Sequence, residues 1–217
     1  MVTLQLRQLD VPSGQRLLLH DVSWVEFEAI LEELGEHRNT RVAYTNGLLE
    51  IMAPSPEHES DKEIIGDLLK ALLEELDIEF LTLGSTTFKN AEMLKGIEPD
   101  QCFYIQNETA VRGKKRLDLA VDPPPDLALE IDVTSRTHPE TYAALGVPEL
   151  WRRSGNQIQV YRLQDGAYVE TLDSSVLPGR SLQTEIAKRV QQSQVEGRNK
   201  AIRAFRQWVK QQLENRT

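Results

Sequence analysis

Apolar positions recur along this chain with two periods, one near 3.6 residues and one of 2, and the switches between them outline its elements. In VSWVEFEAILEELGEH, Val22, Val25, Phe27, Ile30, Leu31 and Leu34 stand three or four residues apart, and Gly35 follows where a helix would stop. A short amphipathic helix is predicted there. RVAY and LLEIM are β-rich runs joined by Thr-Asn-Gly, and Asn-Gly favours a tight hairpin turn, so two antiparallel strands are expected. From Lys62 to Leu76, the residues Ile64, Ile65, Leu68, Leu69, Leu72, Leu73 and Leu76 share one face only if the segment is a helix. IEFLTLG, STTFK and QCFYI read as strands, the last behind Pro99, and NETAVRGKKR reads as a loop or hairpin tip.

Pro123, Pro124 and Pro125 give a stiff, extended entry to DLALEIDV, a nearly continuous apolar run of the kind found in central strands, interrupted by Glu130 and Asp132. A short helix fits 137–146, ending at Gly146. ELWRR, QIQVYRL and AYVETL follow as strands with Ser-Gly-Asn and Gln-Asp-Gly turns. Helices are expected around 182–192 and 198–214, the latter amphipathic through Ile202, Phe205, Val209 and Leu213. No internal repeat or low-complexity tract interrupts the series. The fold class is α/β (α+β), a mixed β-sheet flanked by helices. It is read as one domain: an N-terminal helical extension (1–39), a core (40–175) and a C-terminal helical extension (176–217).

Composition narrows this picture. A chain of 217 residues, 40% of them hydrophobic, holds one sizeable core. MVTLQLRQLD lacks the charged start and apolar run of a secretory signal, and no apolar stretch approaches the roughly 18 residues of a membrane span, so a soluble cytoplasmic protein is expected. The single cysteine, Cys102, excludes an intrachain disulfide and a multi-cysteine zinc site and reads as a small buried hydrophobe. The net charge of −9 argues against an overall basic, DNA-coating surface. Yet Arg198, Lys200, Arg203, Arg206, Lys210 and Arg216 face only Glu214 in the last twenty residues, which leaves −14 for the remainder.

The acids within apolar strands carry the candidate chemistry. A carboxylate there is costly unless it is paired, hydrogen-bonded or bound to a cation. Glu130 and Asp132 lie two apart and project from one face, Asp100 heads another strand behind Pro99, and Glu50 interrupts LLEIM. If these strands are neighbours, four carboxylates converge, and a hard divalent cation such as Mg²⁺ or Mn²⁺ relieves their repulsion. Such an ion suits phosphodiester hydrolysis. Each acid alone has a plainer reading at a strand edge or turn. Asp61 and Glu63 are read as complements to a helix dipole, His58 as structural when taken alone, and the four histidines have no metal-ligand spacing.

Taken in order, NGLLEIMAPSPEHE, the long helix, IEPDQCFYI, PPDLALEIDVTS and YAALGVPELWR resemble the Uma-two family, bacterial restriction-endonuclease-like proteins of the PD-(D/E)XK superfamily. The resemblance spans about 40–165 and rests on Pro99-Asp100, on Pro125-Asp126-Leu127 leading to Glu130 and Ser135, and on Tyr142 before Gly146-Val147-Pro148-Glu149. It implies a restriction-endonuclease-like fold and a Mg²⁺-dependent DNA endonuclease, with Asp100 and Glu130 as metal-binding acids and the Ile131 carbonyl as a further ligand. Leu48 stands where the family commonly has glutamate after the hairpin glycine, and Glu50 on the same face is the substitute. His58 matches a histidine before the long helix. Asp132 occupies the place of the superfamily's lysine, and His138 that of a lysine often found before the tyrosine. A histidine serves there as base or cation, while Lys62 and Lys89 are candidates to reach the site from elsewhere.

Arg112, Lys114, Lys115 and Arg116 read either as a phosphate-tracking loop or as a solvated one. The basic C-terminal helix, with Trp208, reads as a grip on DNA, as packing on the domain or as a contact between two copies in a homodimer, and packing or dimer contact is favoured because its apolar stripe needs cover. Three functions follow: a metal-dependent deoxyribonuclease with DNA as substrate, a catalytically impaired nuclease-fold module that binds nucleic acid or protein, or a hydrolase of smaller phosphoesters.

Overall fold

The computed structural model describes residues 6–35, 38–84, 86–132, 138–177 and 181–214. Expectations touching residues 36–37, Ser85, 133–137 (Ser135 of the resemblance among them) and Arg216 lie outside the described residues. After a 3₁₀ turn at Leu6–Gln8 come β1 (Arg16–Leu19) and α1 (Trp24–Leu34). Ser23 accepts the Glu26 amide while the Glu26 carboxylate accepts the Ser23 amide at 2.8 Å, a reciprocal cap that fixes where α1 begins. β2 (Arg41–Thr45) and β3 (Leu48–Met52) form the expected hairpin, turned by Asn46 and Gly47 with φ of 48° and 89°, the pair of positive values the tightest hairpins require.

α2 (Pro56–Glu75) starts ahead of the Lys62 marked by the apolar repeat. Ser55 accepts the His58 amide at 3.2 Å and Pro56 opens the helix, so capping chemistry extends it through a polar first turn. Then follow β4 (Leu81–Leu83), β5 (Phe88–Asn90), β6 (Lys95–Ile97), β7 (Gln101–Tyr104), α3 (Glu108–Val111) and β8 (Leu127–Ile131). The chain closes with α4 (Pro139–Ala144), β9 (Glu149–Ser154), β10 (Gln157–Gln164), β11 (Ala167–Thr171), α5 (Leu182–Glu196) and α6 (Arg198–Glu214). β1, inside the segment read as a helical extension, and β6 have too little alternation to show in the sequence. Their extended state comes from pairing with β3 and with β2 and β5. The stretch read as a loop at 107–116 contains the single turn α3.

The strands divide between two sheets. The first is antiparallel, in the order β1-β3-β2-β6-β5, and the second runs β11-β10-β9-β8-β7-β4, mixed because β8 and β9 are parallel. One face of the second sheet (Phe103, Leu127, Leu129, Ile131, Trp151) packs on α2, α5 and α6. Its other face (Cys102, Tyr104, Ala128, Leu150) meets Phe88 and Ile97 of the first sheet and Tyr142 of α4. The first sheet's far side is closed by α1, whose Phe27 stacks on Tyr44 with centroids 4.5 Å apart. Two glycines make this stacking possible: a Cβ on Gly96 would meet the Phe27 ring at 2.9 Å, and one on Gly66 would meet the Gln101 side chain at 1.9 Å. α2 therefore lies directly against the head of β7. Cys102 is fully buried, and burial pushes its thiol up to about 12.

α6 covers its stripe within the chain, with Phe205 and Val209 in the helix-side core. Its cations meet the acids of α2: Arg198 on Asp67 (Nε 2.8 Å), Arg206 on Glu74 and Glu75, and Lys210 on Glu75. No helix among the described residues is long and apolar enough to cross a membrane. Asp61 does not act as a helix-dipole acid. It is buried under the second sheet, 3.1 Å from Arg153 Nε, and accepts from Gln194 at 3.3 Å. The two sheets are also tied through α4: Thr141 Oγ1 is 2.8 Å from Thr45 Oγ1, and His138 Nε2 is 3.5 Å from Glu50 Oε2, an ion-pair distance rather than an aligned hydrogen bond.

Removing one member of a buried ion pair strands the other charge. Asp61→Ala is expected to cost about 3–5 kcal/mol in urea unfolding followed by tryptophan fluorescence, and the double variant Asp61→Leu/Arg153→Leu to cost less. The His138–Glu50 pair gives a pH signature. Glu50's attraction raises the His138 pKa despite burial. Burial would raise Glu50, but His138 and Arg16 outweigh it and lower the carboxyl. The imidazole's contribution is complete below its unfolded pKa and is lost as pH rises through the folded value. The carboxylate's is complete above its unfolded pKa and is lost as pH falls through the folded value. The penalty for His138→Ala is thus expected to be about 1 kcal/mol near pH 5.5 and under half that near pH 9, read from unfolding midpoints.

Candidate active site

The register of the second sheet brings the key acids together. Gln101 pairs with Leu129 across antiparallel β7 and β8, so the next position out sets Asp100 opposite Glu130. Asp100, just before β7, is buried, and its Oδ2 accepts the Ile131 amide at 2.8 Å, which pins the head of β7 to the end of β8. His58, fully buried in the first turn of α2, holds Nε2 3.0 Å from the same oxygen without hydrogen-bond alignment. Glu130 accepts from the hydroxyl of Tyr142 on α4. Burial first, then the negative charge of Asp100, lifts the Glu130 carboxyl well above the usual carboxylate range against the Tyr142 bond.

Between the sheets these acids border a cavity of about 30 Å³ lined by Glu50, Glu98, Asp100, Glu130 and His138 with Arg41. Glu50, from the first sheet, is held by Arg16 at 3.1 Å besides His138. Asp132 does not belong to this lining. It lies past the end of β8 and is bound by Arg152, whose Nε is 3.1 Å from Oδ2. The proposed convergence of four strand carboxylates therefore becomes Glu50, Asp100 and Glu130 around the cavity, with Asp132 beside it. Glu98 is the acid the sequence reading overlooked. It lies between Ile97 and Pro99 in a segment, 95–101, that has no apolar run to mark it as Leu48–Met52 marks Glu50. It accepts from Arg38, from the Thr87 hydroxyl and from the Val42 amide (3.1 Å), while burial raises its carboxyl.

Ion pairing separates the acids into two groups. Glu50 has Arg16, Glu98 has Arg38, Glu59 has Lys62 and Arg41, Asp132 has Arg152 and Asp61 has Arg153. Among the described residues, Asp100 and Glu130 make no ion pair with Lys or Arg, although Arg152 on the next strand acts on Glu130 through its charge, and one oxygen of each accepts no hydrogen bond. The lysines considered as substitutes are engaged elsewhere: Lys62 by Glu59 and Glu63, Lys89 by Glu28 on α1. Two further acids of the sequence motifs are structural. Asp126 ties Ile105 and Asn107 at 2.7 and 3.0 Å, and Glu149 binds Trp151 Nε1 at 2.7 Å and Ser175.

Two facing hard-oxygen donors that make no ion pair with Lys or Arg among the described residues fit a divalent ion as ligands. Among the described residues no three His, Cys, Asp or Glu side chains form a complete metal cage. The remaining positions would fall to backbone carbonyl, water or substrate oxygens, the usual situation for Mg²⁺.

A family model described as "Putative restriction endonuclease" (Uma2) matches residues 24–189. A matching solved structure is that of a putative nuclease belonging to DUF820 from Anabaena variabilis ATCC 29413, 15% identical, covering 66% of this chain and 84% of that one at a TM-score of 0.45. No curated protein matches. The family match takes in both sheets' central strands, the Asp100–Glu130 pair and α4 with its tyrosine, and the chain belongs to the Uma2 restriction-endonuclease family.

Proposed function

We propose that this protein is a Mg²⁺- or Mn²⁺-dependent DNA endonuclease that hydrolyses phosphodiester bonds at Asp100 and Glu130. The observation that carries the reading is the opposition of these two carboxylates across adjacent strands, with no Lys or Arg ion pair to either among the described residues, while the surrounding acids are ion-paired. Asp100 and Glu130 would hold the ion, with the Ile131 carbonyl beside them. When bound, the ion supplies a lowered pKa for water and positive charge for a phosphate oxygen.

The chain's own residues do the positioning. The Ile131 amide fixes one Asp100 oxygen and leaves the other directed elsewhere, with His58 closing the rear. Tyr142 orients Glu130. His138, its pKa raised by Glu50, is a cavity-wall group that holds its proton to higher pH than a free imidazole, and Glu50 is its partner rather than a lone acid. A second reading, a nuclease-fold module that binds without cutting, is favoured by Asp132, which adds negative charge where the resemblance places a lysine.

Nicking of supercoiled plasmid by the pure protein with Mg²⁺ or Mn²⁺ tests the first reading. Asp100→Ala and Glu130→Ala are each expected to lose at least about 100-fold of that activity. Activity retained in both variants would overturn the assignment, and an inert wild type would leave the binding module. Tyr142→Phe keeps the ring but frees Glu130, so Mn²⁺ affinity measured by titration calorimetry is expected to fall about 10–100-fold.

A further inference from the structure

Three charged residues occupy one row across the second sheet: Asp100 at the head of β7, Glu130 on β8 and Arg152 on β9. Glu130 and Arg152 are direct register partners. Their side chains share the face that carries Ala128 and Leu150 toward the first sheet. Neighbouring strands are about 4.8 Å apart, and Arg152, which stands outside the cavity lining, is near enough to act on the Glu130 carboxyl through its charge.

Arg152 is held in place. Asp132 Oδ2 accepts from Nε at 3.1 Å and from Nη2, and the Cζ atom lies 5.6 Å from the Tyr161 ring centroid. One edge of the guanidinium is thereby occupied and its plane is set. The Tyr161 hydroxyl is a further partner of the guanidinium, and the side chain is still 23% exposed, so part of its edge faces solvent. A planar cation with its orientation already fixed and donors left over suits a phosphate oxygen, because little side-chain freedom remains to be lost.

We propose that Arg152 contacts the phosphate of the DNA strand at this site, with Asp132 as its positioning residue. The proposal rests on the endonuclease reading for its location beside the acid pair. It differs from mere neutralisation of Asp132 in one respect: a neutraliser becomes dispensable once Asp132 is uncharged, and a phosphate contact does not.

The test measures binding and cleavage separately. Binding of a fluorescein-labelled DNA duplex is followed by anisotropy in Ca²⁺ buffer across a salt series, and plasmid nicking is followed in Mg²⁺ or Mn²⁺. Arg152→Gln is expected to bind about tenfold more weakly, to lower the slope of log K against log salt by about one, and to lose most nicking. Arg152→Lys keeps a point charge without the fork and should fall between. Asp132→Asn/Arg152→Gln should be no better than Arg152→Gln. Thermal midpoints check folding, and Arg152→Lys carries the comparison if the glutamine variant does not fold. Wild-type affinity and salt slope in Arg152→Gln, or restoration in the double variant, would overturn the proposal. If the wild type binds with this Arg152 dependence but never nicks, the phosphate contact stands and the endonuclease reading falls. A wild type that binds no duplex at any salt sinks both.

Discussion

Two carboxylates opposed across neighbouring strands repel each other, and the surrounding architecture holds them together rather than apart. The Ile131 amide fixes Asp100, Tyr142 fixes Glu130, and α2 is brought against the head of β7 at a glycine, which carries His58 up to Asp100. The first sheet then covers the pair with β2, β3 and β6. Burial and the neighbouring charge both raise the Glu130 carboxyl, a pressure that a cation held between the two acids would relieve. Stability alone gives no reason for this arrangement, because a paired or apolar residue at either position would cost less.

Much of this was legible in the sequence, for a reason specific to buried charge. Glu130 and Asp100 stand out because acids in apolar strands require an explanation, and their nearness follows once β7 and β8 pair. Glu98 follows β6, a strand with no apolar run in the sequence, so nothing local marks it. Asp132 was grouped with Glu130 on period-two spacing, yet β8 ends at Ile131, and the partner that claims Asp132 is brought in by the parallel register of β8 with β9. No local pattern reports such a register. Asp61 was read as a dipole acid because its partner, Arg153, is distant in sequence, and β1 and β6 were missed because neighbours, not propensity, extend them.

The uneven charge takes on a different meaning in the fold. The basic C-terminal segment looked like a possible grip on DNA, but Arg198, Arg206 and Lys210 meet acids of α2. Exposed pairs of this kind contribute little each. The helix is held chiefly by Phe205 and Val209 in the core, and the charges select its register along α2. The loop before β8 is similar: Arg112 is bound by Glu108 and Lys114 by Asp122.

Consecutive residues of β9 show how the neighbourhood of the site is held. Because side chains alternate along a strand, Arg152 and Arg153 point to opposite faces of the sheet. Arg153 enters the helix layer and is bound by Asp61 of α2, while Arg152 lies on the site face and is bound by Asp132. The Asp132 amide also donates to the Arg153 carbonyl at 2.8 Å, so the chain leaving β8 is tied to β9 through backbone and through both arginines. Movement of the end of β9 would disturb an ion pair on each side of the sheet at once, and the buried one is expensive to break. The guanidinium of Arg152 is therefore anchored partly by a contact on the far side of the sheet, and the spacing of the row from Asp100 through Glu130 to Arg152 depends on the helix layer as well as on the strands that carry it.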